Sequence, residues 1–152
     1  MKKWTCIALM TAFLLALIAF AGSAETVGTD LAGVLEGFGL GDEMMLLVEE
    51  DLTDIYGIDP ADVAQFAAAI NDTGIKADEI VLVEAVDAAA AARIEAALEE
   101  RYQSKLNELE NYLPEEYAVV KACGVETDGN FVSMIVAPNA AELVELYRAG
   151  LK

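Results

Sequence analysis

The sequence predicts an α+β fold: a two-layer sandwich with an N-terminal helix followed by two strand-strand-helix units forming a four-stranded, mainly antiparallel sheet. Three observations predict it. Helical spacing recurs in three separate stretches, each opened by an Asp or Asn. Short apolar runs bounded by turn residues lie between them, at Val63 to Ile70, Glu79 to Ala85 and Phe131 to Val136. The strand-strand-helix order also occurs twice: a shift of 52 positions sets Ile80, Leu82, Val83, Ala85 and Asp87 on Val132, Met134, Ile135, Ala137 and Asn139.

Residues 1–24 have the layout of a secretory signal peptide. Lys2 and Lys3 form a basic start, Ile7 to Phe20 is apolar apart from Thr11, and small residues follow from Ala21 to Ala24. Cleavage is expected after Ala21 or Ala24, with retention as an uncleaved membrane anchor as the alternative. Cys6 precedes the apolar run rather than following it, so no lipid anchor is expected. Residues 25–41, with five glycines, read as a flexible lead-in, with at most a short turn of helix over Leu31 to Glu36.

The folded domain is placed at 42–152. Asp42 suits an N-cap, and Met45, Val48, Leu52, Ile55 and Tyr56 recur at helical spacing until Gly57. Pro60 fits the first position of a further turn. Val63 to Ile70 reads as a strand because the turn Asn71-Asp72-Thr73-Gly74 and a second strand, Glu79 to Ala85, follow it. Asp87 caps a long helix whose stripe runs Ala91, Ile94, Leu98, Tyr102, Leu106, Leu109 and Leu113 before Pro114 stops it. Tyr117 to Val125 and Phe131 to Val136 read as strands joined through Asp128-Gly129. Asn139 opens the last helix, with Glu142 in the capping-box position and Gly150 at its close.

Side chains of a strand alternate between faces, and both faces of these strands are apolar. The second face needs a cover: the N-terminal helix, a second copy or a partner. A homodimer or a protein partner through a sheet face is therefore expected.

Charge and composition narrow the chemistry. The chain carries 27 acids against nine bases, and loss of Lys2 and Lys3 with the leader takes the formal net charge from −18 to −20. No nucleic-acid partner is expected, because phosphate binding needs clustered Lys and Arg. Membrane contact is expected only through the N-terminal segment, if uncleaved. Beyond that segment the chain has one Cys, Cys123, and no His, which excludes an internal disulfide, a Cys/His zinc site and a His-dependent triad.

Several clusters invite a functional reading. Asp72-Thr73-Gly74 matches the aspartic-protease tripeptide, but a turn between strands accounts for it. Glu49, Glu50, Asp51 and Asp54 lack the looped spacing of a calcium site and suit a solvated helix face. Cys123 reads as a small hydrophobe in a strand. Tyr102, Tyr112 and Tyr117 would line a groove or, more simply, pack. No residue is assigned as catalytic, cofactor-binding or metal-ligating, and no cofactor is expected.

Asp54-Ile55-Tyr56-Gly57-Ile58-Asp59, Ala77-Asp78-Glu79-Ile80 leading to Val83-Glu84-Ala85, Glu99-Glu100-Arg101, Tyr112-Leu113-Pro114-Glu115-Glu116-Tyr117 and Gly129-Asn130-Phe131-Val132 occur in this order. Together they resemble the domain of unknown function 4358 family over roughly residues 42 to 150. The resemblance implies a small bacterial extracytoplasmic domain. Many family members carry a lipid-modified Cys after the signal, which this chain lacks, and the family lends no catalytic residues. The expected role is binding or structural, at the cell surface or secreted. A carboxylate-dependent hydrolase using Asp72, Asp78 or Glu84 is the alternative, and a weak calcium-responsive surface protein the next.

Overall fold

A computed structural model describes residues 28–151; the expected signal peptide lies outside the described residues. In order come α1 (Leu31–Gly37), β1 (Met44–Leu46), α2 (Glu49–Tyr56), a 3-10 turn (Pro60–Asp62), β2 (Val63–Asn71), β3 (Glu79–Ala85) and α3 (Ala88–Leu109). Then follow α4 (Pro114–Lys121), β4 (Gly124–Asp128), β5 (Phe131–Val136) and α5 (Ala140–Gly150). The sheet is antiparallel throughout, in the order β1-β2-β3-β5-β4. The α+β class stands, with five strands where four were expected.

The glycine-rich stretch expected to be a flexible lead-in carries α1. The Asp30 carboxylate accepts from the Gly33 N–H at 3.2 Å, and Leu31 and Leu35, one turn apart, are buried. Gln65 on β2 fastens this segment to the sheet: its side-chain oxygen accepts from Leu31 N–H at 3.1 Å, and its Nε2 donates to the Thr29 carbonyl at 2.6 Å.

The helix expected from Asp42 begins only at Glu49. Met44, Met45 and Leu46 pair instead with Asn71, Ile70 and Ala69 of β2, so ladder bonds override the helix preference of Met and Leu. The Asp51 carboxylate caps α2 by accepting from the Val48 N–H at 2.7 Å. Gly57 ends it at φ +65°, a conformation that favours glycine. Pro60 starts the 3-10 turn as expected, with the Asp59 carboxylate accepting from Ala61 N–H.

Asp87 caps α3 by accepting from Ala90 N–H at 2.8 Å. The helix ends at Leu109, four residues before the expected end of its stripe. Pro114 opens α4 rather than merely stopping α3, so the strand expected from Tyr117 is helical as far as Lys121 and only Gly124–Asp128 pairs with β5. Pro at the first helical position, Glu115 and Glu116 in the first turn and Lys121 in the last suit the helix termini and its dipole. The β4–β5 hairpin closes as expected, with Gly129 at φ +60°.

In α5 the expected capping box is absent, since the Asn139 side chain makes no capping bond. Nor does Gly150 adopt a left-handed cap. It sits where a Cβ would lie 2.7 Å from Val34 Cγ2, so its role is the close approach of α5 to α1.

Both sheet faces are covered within the chain. Val81, Val83, Val132 and Met134 pack with Leu52 of α2, Ile94 and Leu98 of α3 and Val120 of α4. Ile80, Leu82 and Ile135 pack with Leu31 and Leu35 of α1 and Leu143 and Tyr147 of α5. The expected two layers thus gain a third, and the second face, expected to be covered by the N-terminal helix, a second copy or a partner, is covered by α1 and α5. The 52-residue echo also inverts: α3 packs on one side of the sheet and α5 on the other, because the matched residues of β3 and β5 face opposite ways.

Candidate functional site

The titratable groups gather at one end of β3. Glu79, its first residue, is fully buried and alternates onto the α3 side with Val81 and Val83. Arg101 and Lys105, one turn apart on α3, converge on it. Arg101 Nε lies 3.0 Å from Oε1 and Nη2 2.9 Å from Oε2, while Lys105 Nζ lies 2.8 Å from Oε2. Burial pushes the Glu79 carboxyl up, but the Arg101 fork and the Lys105 charge outweigh it and hold it below the usual carboxylate range. The Tyr56 hydroxyl, buried nearby, is pushed up by burial and then by the adjacent Glu79 carboxylate.

A second pair lies alongside. Glu116 of α4 accepts from Lys76 Nζ and from the Ala77 N–H, both at 2.9 Å. Burial raises its carboxyl, but Lys76 and the Ala77 N–H reverse the shift and leave it lowered. Between the two, Asp78 keeps Oδ1 buried and unbonded, and burial followed by the Glu116 charge pushes its carboxyl up. The Glu79 carboxylate has both oxygens occupied by cations and no exposure, so it is suited to joining β3 to α3 rather than to exchanging protons with a substrate.

The acids proposed for hydrolysis are not brought together. Asp72 is exposed in the β2–β3 turn, where Asn71 Oδ1 accepts from the Thr73 N–H and hydroxyl and Gly74 takes φ +72°. Asp78, immediately before β3, and Glu84, near its far end, are six residues apart, about 20 Å at the usual strand rise. Glu84 accepts from Gln65 Nε2. The tyrosines separate too. Tyr102 is buried with its hydroxyl 3.0 Å from the carbonyls of Val120 and Cys123, Tyr117 lies under Lys121, and Tyr112 is 72 % exposed. Cys123 follows α4 rather than lying within a strand. Its Sγ donates to the Val119 carbonyl at 3.1 Å, and burial pushes the thiol up. Glu49, Glu50, Asp51 and Asp54 lie on α2, and among the described residues no group of three or more His, Cys, Asp or Glu is disposed to hold a metal.

A groove of about 660 Å³ opens elsewhere, between α1, the 39–42 loop and the β1–β2 edge. Leu35, Leu40, Met44, Leu46, Leu47 and Phe66 give it an apolar wall, and Glu36 and Asp42 border it. Leu46 is 68 % exposed beside it, with Met45 and Val48 also exposed. Sequence reasoning missed this groove because it depends on Met44–Leu46 being a strand and on α1 being fixed to the sheet. The signal present in the sequence is the three- and four-residue spacing of Leu31, Val34, Leu35 and Phe38, which places them on one helix face.

Fold and site together define a small acidic α+β protein, an antiparallel sheet between helices, with an internal ion cluster and an apolar groove at a sheet edge. The chain belongs to the family described as Domain of unknown function (DUF4358), whose model matches residues 39–137. The fragments of sequence that carry the resemblance include Glu79 and Arg101, so the buried ion pair lies within the matched region. No curated protein and no solved structure matches the chain. No helix among the described residues is long and apolar enough to cross a membrane.

Proposed function

We propose that this chain is a secreted or cell-surface-associated binding module that performs no catalysis of its own. The observation that carries this reading is the apolar groove beside exposed Leu46: it joins a concave wall to uncovered apolar side chains, the usual character of a recognition surface. The acids argue in the same direction, since Glu79 and Glu116 are engaged by cations inside the fold. Export rests on the basic, apolar and small-residue succession of residues 1–24.

A photo-reactive residue in place of Leu46, compared with one in place of Tyr112, tests the groove in intact cells. Both positions are exposed, but only Leu46 lines it. Adducts specific to position 46 are the expected result. Equal labelling at both positions, or none at either, would remove the basis for the proposal. Fractionation of the same cells checks the location: a chain found wholly in the cytoplasm refutes export.

A further inference from the structure

Beside the groove the sheet edge is incomplete. The Leu47 N–H donates to the Ala68 carbonyl at 2.9 Å, so the backbone groups of Ala68 face the outer side of β2. Strand geometry repeats every two residues, and the β2–β3 register is regular from Phe66 to Ile70, so the N–H and C=O of Phe66 face the same way. The chain, however, leaves the edge after Leu47 to form α2. Among the described residues no strand lies beside Phe66.

We propose that this open β2 edge receives an extended apolar and basic peptide segment of another protein as an added strand. The proposal deepens the binding-module reading and rests on it. Side chains of an added strand would alternate between two hollows. On the α1 side lies the groove of about 660 Å³ with Leu35, Leu46 and Phe66; on the α2 side lies a second hollow of about 330 Å³ lined by Glu49, Leu52, Pro60 and Val63. Backbone pairing supplies affinity in such a mode, and alternate side chains supply selectivity.

Charge selects the occupant. Glu36 and Asp42 line the first hollow and Glu49 the second, while neither contains Lys or Arg, and the chain as a whole carries −18. A basic segment complements that field. A second copy of this chain would bring the same negative charge against it.

The test uses the full chain and a capped six-residue peptide of alternating Lys and Val. Two controls accompany it: a Glu–Val counterpart, and Lys–Val peptides N-methylated at alternate amides in either register. The expected result is at least tenfold tighter binding of Lys–Val than of Glu–Val. Amide shifts should centre on residues 44–47 and 63–68. N-methylation should weaken binding about tenfold in the register facing β2 and little in the other. Glu36→Lys with Asp42→Lys, both at exposed positions, should reverse the preference between the two peptides.

Absence of Lys–Val binding at about 1 mM overturns the proposal, as does equal binding of both N-methylated registers. A dimer in sedimentation equilibrium that the peptide dissociates assigns the edge to a second copy, and likewise overturns it. Position-specific adducts at residue 46 without Lys–Val binding would sink the added strand while leaving the binding-module reading intact.

Discussion

Replacing Glu79 by Ala should destabilise the fold more than any other single change at a charged residue in the ion cluster. The substitution removes the acceptor for three charge-assisted bonds at 2.8–3.0 Å and leaves Lys105, 7 % exposed, beside Arg101 without the carboxylate bonded to both, Asp78, Glu116 and Glu108 acting on them only through space. Breaking a buried pair by removing one partner costs about 3–5 kcal/mol, chiefly because the surviving charge stays buried. A domain of this size has a stability of about 5–15 kcal/mol. At roughly 4 °C per kcal/mol the melting temperature should fall by roughly 12–20 °C. Denaturant unfolding of wild type, Glu79→Ala and the joint variant Glu79→Leu, Arg101→Met, Lys105→Met provides the assay. Replacing all three charges by apolar side chains removes the uncompensated charge, so the joint variant should recover most of the loss. If Glu79→Ala lies within about 1 kcal/mol of wild type, or the joint variant is no better than the single one, the reasoning fails.

The same carboxylate gives a pH signature. The folded-state pKa values of Glu79 and Glu116 are lowered, so their stabilisation is present above the unfolded carboxylate pKa and is lost as pH falls through the lowered folded values. Unfolding midpoints measured from pH 7 to pH 3 should therefore drop less steeply in Glu79→Gln than in wild type; parallel curves would contradict this. Asp78 has the opposite sign, its folded pKa being raised, so Asp78→Asn should raise the midpoint at pH 7 and leave it unchanged once both states are protonated. Cys123 should react with a thiol reagent far more slowly in the native state than after unfolding, because burial disfavours its thiolate; equal rates in a thiol assay at pH 8 would refute this. Gly150→Ala should cost about 1 kcal/mol through its contact with Val34, and the cost should vanish in a Val34→Ala background, as thermal melts of the two single variants and the double would read.

Residues with local signals were legible in the sequence, and those whose conformation depends on distant partners were not. Asp87 and the stripe through Ile94, Leu98 and Tyr102 identify α3 because cap and periodicity lie within one segment. Glu79 to Ala85 reads as a strand for the same reason. Tyr117-Ala-Val-Val looks like a strand by composition, yet Pro114, the following acids and Lys121 already mark the helix that forms there. Met44 to Leu46 offers no such warning, since only β2 makes it a strand. In α1 the glycines obscure Leu31 and Leu35, whose burial depends on Gln65 and α5. The ion cluster was invisible for a related reason. Glu79 lies 22 residues before Arg101, and their meeting depends on α3 packing back across β3. The resemblance drew attention to both residues without revealing that they touch.

The two borders of the sheet have unlike chemistry. At one, β4 presents Glu126 and Asp128, and Arg148 reaches across from α5 to bind Glu126 at 2.8 Å. At the other, β1 is three residues long and gives way to an uncharged length of β2. Inter-chain strand addition propagates into a fibre only when both borders accept neighbours. A neighbour approaching the β4 border meets Glu126 and Asp128, so like-charge repulsion between copies opposes growth there, and a strand added at the opposite border would complete a closed complex rather than seed a polymer of this chain.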